Sequence, residues 1–220
     1  MSKNEQKKLY TDKIYHVFSK SIFKFKIFRN TEEFDRMREL IWFYKREKPV
    51  IRYSSFLELI NKDSFYKHNL SDNRDLVEII AYCIMPTHIH LVLKQVIDKG
   101  ISTFLSNALN SYTRYFNFKI KRKGPLWESR FKSVSVDTDE QLLHLTRYVH
   151  LNPVTARLVD APKDWKYSSY KEFLQERTGE KSICNYFNVL DIDPHQYKEF
   201  VNSQIDYQRE LAVIKAKFID

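Results

Sequence analysis

An α+β architecture, a ferredoxin-like antiparallel sheet with helices packed on it, is predicted by three features of the chain. Hydrophobic spacing switches between a period of two and a helical period in the order strand, helix, strand, strand, helix, strand, helix. Two of the strand-like runs, Leu76 to Met85 and His88 to Gln95, are separated only by Pro86-Thr87, a connection that suits antiparallel neighbours. With 220 residues, 43% of them hydrophobic and only three of them glycine, the chain can bury a core of that size.

Ile14 to Ser19 reads as the first strand and leads into a basic loop. From Lys13 to Arg29 there is no acidic residue, and Lys13, Lys20, Lys24, Lys26 and Arg29 interleave with Tyr15, Phe18, Phe23, Phe25 and Phe28. After Thr31, the residues Phe34, Met37, Leu40, Ile41 and Tyr44 recur at helical spacing until Pro49 ends the helix. Ser54 to His68 is a shorter amphipathic stretch, expected as a helical insertion near residues 50–70. The paired strands follow, then a helix from about Ile101 to Lys121. It carries Phe104, Leu105, Ala108, Leu109, Tyr112, Tyr115 and Phe116 on one broad face and stops at Gly124-Pro125. Phe131 to Val136 alternates as the last strand, and Thr138-Asp139-Glu140-Gln141 is a capping-box pattern that opens the next helix. All helices are expected on one face of the sheet. The main domain is expected over 1–175, with a C-terminal helical extension over 176–220. There Asp193 caps a final helix, Pro194 takes its first turn, and Tyr197, Phe200, Val201 and Ile205 form its apolar stripe.

Charge narrows the function classes. A formal net charge of +9 points to an anionic partner, nucleic acid ahead of a membrane surface, with an inert basic surface as the alternative. Cys83 and Cys184 form no disulfide framework and no zinc spacing, which fits a reducing compartment. The polar start MSKNEQKKLYTDK lacks the apolar stretch of a signal peptide. No run reaches the about twenty residues of a membrane span, so a cytoplasmic location is expected.

Two segments carry chemistry. In MPTHIHLVL, His88 and His90 flank one apolar residue on a strand, so both imidazoles project from one face while Ile89, Leu91 and Leu93 pack on the other. Neighbouring imidazoles suit a metal ion, although hydrogen-bonded core histidines show the same pattern. In the helix opened by Thr138, Leu142, Leu145 and Val149 share a face, Tyr148 lies at its flank, and Asn152 lies one turn on. Pro153 disfavours helical conformation at Asn152, which predicts that amide at a helix end with its oxygen free. Alone, Tyr148 reads as a packing residue and Asn152 as a turn former. Beside two imidazoles they would complete a metal site with a hydroxyl nucleophile.

MPTHIHLVL resembles the histidine-hydrophobe-histidine motif of the single-tyrosine HUH nucleases, the IS200-like transposase superfamily. GPLWESRF (Gly124 to Phe131), RYVHLNPV (Arg147 to Val154) and KYSSY (Lys166 to Tyr170), in that order and spacing, are similar to the REP-associated tyrosine transposase branch. The similarity runs from about Ile14 to Leu174. It implies the HUH endonuclease fold, His88, His90 and Asn152 as metal ligands, Tyr148 as nucleophile, and Mg²⁺ or Mn²⁺ as cofactor. It also implies single-stranded DNA with a hairpin, REP-like or palindromic, as partner; some members of the superfamily are homodimers. Members often have asparagine where this chain has Thr87, and arginine where it has Thr155 followed by Arg157. The second departure bears on DNA contacts near the helix end rather than on the chemistry.

A phenol with an ordinary pKa of about 10 is a poor nucleophile at neutral pH, so it needs a partner that lowers the cost of forming phenolate beside a phosphate. A divalent ion supplies that and polarises the phosphodiester. Attack by Tyr148 would give a 5′-phosphotyrosyl link and a free 3′-hydroxyl able to rejoin strands. Tyr112 and Tyr115 are rival nucleophiles, but they belong to an apolar stripe. Lys119, Lys121, Arg122, Lys123, Arg130 and Lys132, with Trp127 and Phe131 between them, and Arg147 and Arg157 further on, are the candidate DNA-gripping residues; Trp127 is equally readable as a core anchor. The expected function is transposase-like nicking and strand transfer on single-stranded DNA at hairpin-associated sites. A non-catalytic nucleic-acid-binding protein on the same fold and a metal-dependent phosphohydrolase are the alternatives.

Overall fold

Strict alternation makes Ile14–Lys20 the strand β1, with Tyr15, Val17 and Ser19 buried and His16, Phe18 and Lys20 on the opposite face. The computed structural model describes residues 8–47, 51–62, 64–65, 74–176 and 182–218. With β2 (Val77–Met85), β3 (His88–Gln95) and β4 (Lys132–Val136), β1 forms a four-stranded antiparallel sheet in the order β2-β3-β1-β4, the ferredoxin-like order. Pro86 and Thr87 turn β2 into β3 so that Met85 faces His88, and a bulge between Ile79 and Ala81 shifts the far half of the pairing.

The helix α1 (Thr31–Tyr44) starts on two reciprocal contacts. Asn30 Oδ1 accepts a hydrogen bond from Glu33 N at 3.1 Å, while Glu33 accepts Arg29 N at 2.8 Å and the Arg29 guanidinium at 2.6 Å. The helix ends five residues before Pro49. Within the expected insertion, α2 (Tyr53–Leu57) is a short helix, and residues 66–68 of that stretch lie outside the described residues. The helix α3 (Gly100–Lys119) begins at a glycine because a Cβ there would collide with the carbonyl oxygen of Leu76, the residue that precedes β2. Beyond it come α4 (Asp139–Thr155), α5 (Tyr170–Phe173), α6 (Pro194–Asn202) and α7 (Ile205–Phe218).

The helices do not share one face, which corrects the expectation. α1 and α3 pack together and against the sheet, while α4 lies on β2 and β3 with the Tyr148 ring against His16 and His90. The cause is visible in β2, where every residue from Ile79 to Met85 is buried. A strand apolar on both faces needs cover on both. The outer edge of β2 is closed as well: Tyr167 O accepts Ile84 N at 2.9 Å and Tyr82 O accepts Ser169 N at 3.0 Å.

Asp193 caps α6 through its Oδ1, which accepts His195 N at 2.8 Å and Gln196 N at 3.0 Å. Tyr197 and Val201 are buried as expected. Ile205 packs on the same core as Phe200 but opens a separate helix, α7, after a break at which Ser203 Oγ donates to Phe200 O at 3.1 Å. The C-terminal segment is tied to the sheet by Asn185 N donating to Ile79 O at 2.7 Å, and Tyr186 stacks on Phe173 at 4.0 Å. Both cysteines are free and buried, and among the described residues no helix is long and apolar enough to cross a membrane.

Glu33 has a side chain 0% exposed, and burial pushes its pKa up, but the Arg29 hydrogen bonds and charge, with Lys119 behind them, hold it below the ordinary value. Glu33→Gln is expected to reduce unfolding free energy at neutral pH by about 1–3 kcal/mol. A folded pKa below the unfolded one gives stability that is present above the unfolded pKa and lost as pH falls through the folded value. Urea unfolding should therefore show the gap between wild type and variant narrowing below pH 4.5, the ordinary value of the group. A gap independent of pH would show that the charge of Glu33 contributes nothing.

Candidate active site

Register brings three histidines together. β1 pairs with β3 so that Phe18 faces His90, His16 faces Val92 and Lys20 faces His88. Alternation then places His16, Phe18, Lys20, His88 and His90 on one sheet face, joined from β4 by Lys132 opposite Phe18 and Val134 opposite His16. The His88 and His90 rings meet edge to face with centroids 4.9 Å apart. His90 Nδ1 lies 3.0 Å from His16 Nε2, with the two rings stacked at 5.2 Å, and His88 Nδ1 lies 2.9 Å from Thr87 Oγ1. Each Nδ1 is thus occupied by a partner that orients its ring, and each Nε2 is the nitrogen left for a ligand. Burial lowers the pKa of His16 and of His88 to about 4, the latter helped by the Lys20 charge, and holds that of His90 well below its ordinary value. All three are neutral imidazoles at neutral pH, the form that binds metal.

The tyrosine arrives on α4. Thr138 Oγ1 accepts Gln141 N at 3.1 Å while Gln141 Oε1 accepts Asp137 N at 2.9 Å, so the capping pattern opens the helix where expected. Its rotation is set by His150, fully buried, whose Nδ1 lies 2.7 Å from Tyr197 Oη and whose Nε2 lies 2.7 Å from Ser169 Oγ. Tyr148, about 200° away on the helical wheel, faces the other side. It is 44% exposed, with its ring edge-on to His90 at 5.7 Å and to His16 at 6.0 Å. Burial raises the pKa of its hydroxyl and the Asn152 side chain partly offsets this, so the phenol is protonated at neutral pH.

Asn152 is not at a helix end. α4 runs through it and through Pro153 to Thr155, which corrects the boundary read from the proline. Pro153 removes only the hydrogen bond to the Val149 carbonyl, and the last turn is kept by Ala156 N donating to Asn152 O at 2.9 Å and Leu158 N to Pro153 O at 2.9 Å. The Asn152 amide nitrogen donates to Tyr148 O at 2.9 Å, which leaves its Oδ1 as the donor atom for a ligand. Among the described residues no group of three or more histidine, cysteine, aspartate or glutamate side chains is placed to hold a metal ion. The donors that could hold one here are two imidazole Nε2 atoms and one amide oxygen.

The rival tyrosines are structural. Tyr112 is buried and donates to Ile27 O at 2.6 Å; Tyr115 donates to Glu32 at 2.7 Å. The candidate DNA-gripping residues divide by what they touch. Lys119 pairs with Glu32 at 2.7 Å and Glu33 at 3.4 Å. Arg122 ties the turn after α3 through Asn117 Oδ1 at 3.0 Å and Pro125 O at 2.6 Å. Trp127 is a half-buried anchor donating to Thr113 Oγ1 at 3.1 Å, with Phe131 also half-buried, and the Arg147 guanidinium lies 4.1 Å over the Phe200 ring. Lys121, Lys123, Arg130, Lys132 and Arg157 are exposed. Of these, Lys132 shares the histidine face, while the segment around Trp127 runs beside Lys20 and Ser21, with Glu128 N donating to Lys20 O at 2.9 Å. His16 and Lys20 were not among the site residues predicted; their only signal was alternation with Phe18, because nothing in a single strand reveals which histidine it pairs beside.

Residues 32–152 match the family described as Transposase IS200 like, and that span holds His88, His90, Tyr148 and Asn152. A Haemophilus influenzae protein assigned as a REP-associated tyrosine transposase is 30% identical over 103 residues, 42% of this chain and 58% of that protein. The chain therefore spans a little over half the length of this curated relative. A REP-associated tyrosine transposase solved bound to a REP hairpin superposes with a TM-score of 0.53 at 17% identity, over 88% of this chain and 96% of that one. Covering 88% of the chain, the likeness in fold extends beyond the matched span. With more than half of its length inside the family match, and with the ferredoxin-like sheet of HUH endonucleases beneath its paired histidines, the chain belongs to the IS200-like transposase family.

Proposed function

We propose that the protein is a metal-dependent tyrosine enzyme that nicks and rejoins single-stranded DNA carrying a hairpin. The observation that carries this reading is the Tyr148 ring edge-on to His90 at 5.7 Å, on the sheet face that His88 shares, with Asn152 one helical turn along from the tyrosine. Family membership and the hairpin bound to the solved relative support the same substrate class.

The donor set suits a divalent ion of the Mg²⁺ or Mn²⁺ type, its mixture of nitrogen and oxygen fitting Mn²⁺ well. His88, His90 and Asn152 would hold it, and bound there it would polarise the scissile phosphodiester and lower the cost of forming phenolate. Tyr148 supplies the nucleophile: its Oη bonds to phosphorus, its proton goes to solvent, and the 3′-oxygen leaves and takes up a proton. One phosphodiester replaces another, so the reverse attack by a 3′-hydroxyl rejoins DNA without an external energy source. Lys20 and Lys132, on the same face, offset phosphate charge as the strand approaches. His16 holds His90 with its Nε2 forward and is a positioning residue.

Incubation with end-labelled hairpin DNA and Mn²⁺ is expected to leave label from the 3′ side of the break on the protein under denaturing conditions. Tyr148→Phe, or EDTA, should abolish the adduct. Cleavage by the wild type with no adduct at any quench time would transfer the reaction to water and sink the tyrosine assignment.

His16→Phe is expected to weaken Mn²⁺ binding by about tenfold in calorimetric titration while leaving the fold intact by circular dichroism. Unchanged affinity would show that His16 only packs.

A further inference from the structure

The loop between β1 and α1 is built to hold two aromatic rings in solvent. Ser21 N donates to Thr87 O at 2.9 Å, and Ile27 N and Phe28 N both donate to Pro86 O, at 2.9 and 3.1 Å. Both ends of the loop are therefore anchored to the Pro86-Thr87 turn that carries His88. Inside it, buried Ser21 donates from Oγ to Phe25 O at 2.6 Å, closing the loop on itself. Phe23 and Lys24 take left-handed backbone angles, with φ of 51° and 54°, a conformation that side-chain-bearing residues rarely adopt and that is kept only when the surroundings enforce it. The outcome is a Phe23 side chain 96% exposed, beside a Phe25 that is 43% exposed and rests edge-on against Phe116 at 6.1 Å. Lys24 and Lys26 are exposed beside them, and among the described residues neither has a carboxylate partner.

Hydrophobic burial does not account for Phe23, which with Phe25 makes a pair of exposed rings on a loop held in a left-handed conformation. The charge around it identifies the occupant: no acidic residue lies between Lys13 and Arg29, and Lys20, Lys24 and Lys26 alternate with or flank the rings along the chain. Interleaved aromatic and cationic side chains are the chemistry of single-stranded nucleic acid, whose bases stack on rings while its phosphates meet cations. We propose that Phe23 and Phe25 form a base-stacking platform, with Lys24 and Lys26 as its phosphate grips, for the single strand that flanks the hairpin and runs past His88 into the site. The proposal rests on the single-stranded DNA reading given above and assigns to this loop the unpaired part of the substrate. Because the loop is tied down before DNA arrives, little ordering is lost on binding.

The test uses the full chain in EDTA, so that binding is read without cleavage. Two fluorescent probes are compared, a DNA hairpin with a single-stranded flank and the same hairpin with blunt ends. Phe23→Ala, which removes no buried surface and is checked for an unchanged unfolding midpoint, is expected to weaken binding of the flanked hairpin about tenfold or more and leave the blunt hairpin unchanged. Lys24→Ala with Lys26→Ala should lower the salt dependence of flanked binding by about two phosphate contacts. Phe23→Trp should show indole fluorescence quenched by the flanked probe alone.

Wild-type binding of the flanked probe that Phe23→Ala leaves intact overturns the platform without touching the enzyme. Failure of the wild type to bind either probe overturns the substrate reading and the platform with it. Selective loss of binding to anionic lipid vesicles in Phe23→Ala, with DNA binding unchanged, overturns it in favour of a membrane surface.

Discussion

The rotation of α4 about its own axis is the constraint on which the site depends. A tyrosine about two and a half turns along a helix can point anywhere unless something fixes the helix phase. Here a wholly buried histidine does so, held between Tyr197 of α6 and Ser169 at the edge of β2. Ser169 in turn accepts Tyr82 N at 2.9 Å and so joins α4 to the sheet through one hydroxyl. A buried imidazole left without either partner would suffer the full penalty of desolvation, so the network specifies one packing rather than merely favouring it. Two residues away from His150, Tyr148 is turned toward the three-histidine face; two residues beyond, Asn152 is locked out of that buried network and returns to the side of Tyr148. The C-terminal segment thereby acts on the site through Tyr197 without contributing a ligand to it.

Electrostatics of the sheet face complement that geometry. Burial keeps His16, His88 and His90 uncharged, and a cluster of neutral imidazoles presents lone pairs where protonated rings would repel a cation. Lysines border the cluster at the ends of β1 and β4 and place positive charge at its margin, while the imidazoles stay neutral at its centre. The phenol is also uncharged at neutral pH, because burial raises its pKa.

Local signals were legible in the chain where local physics decides the outcome. The Pro86-Thr87 turn, the capping residues Thr138 and Asp193 and the alternation of His88 with His90 all appear as expected, because each depends on residues within a few positions of one another. What depended on long-range packing was not legible. His16 is visible as a site residue only once β1 is registered against β3. The side of the sheet chosen by α4 follows from burial of β2 on both faces, which an apolar run in sequence does not distinguish from burial on one. Pro153 signalled a helix end that the last turn absorbs with two hydrogen bonds from residues downstream. Basic residues were the least legible: Lys119 and Arg147 look alike in composition to Lys121 or Lys132, but their partners Glu32 and Phe200 are distant in sequence, and Arg122 is held by the Pro125 carbonyl of its own turn, which composition does not show.

The central claim is that two imidazoles and one amide oxygen share an ion beside Tyr148. Anomalous diffraction from crystals soaked in Mn²⁺ tests it most directly. The account predicts a single strong peak bonded to His88 Nε2, His90 Nε2 and Asn152 Oδ1, with His16 still on the Nδ1 of His90. A peak that excludes Asn152, or one that lies away from the His88–His90 pair, would contradict it.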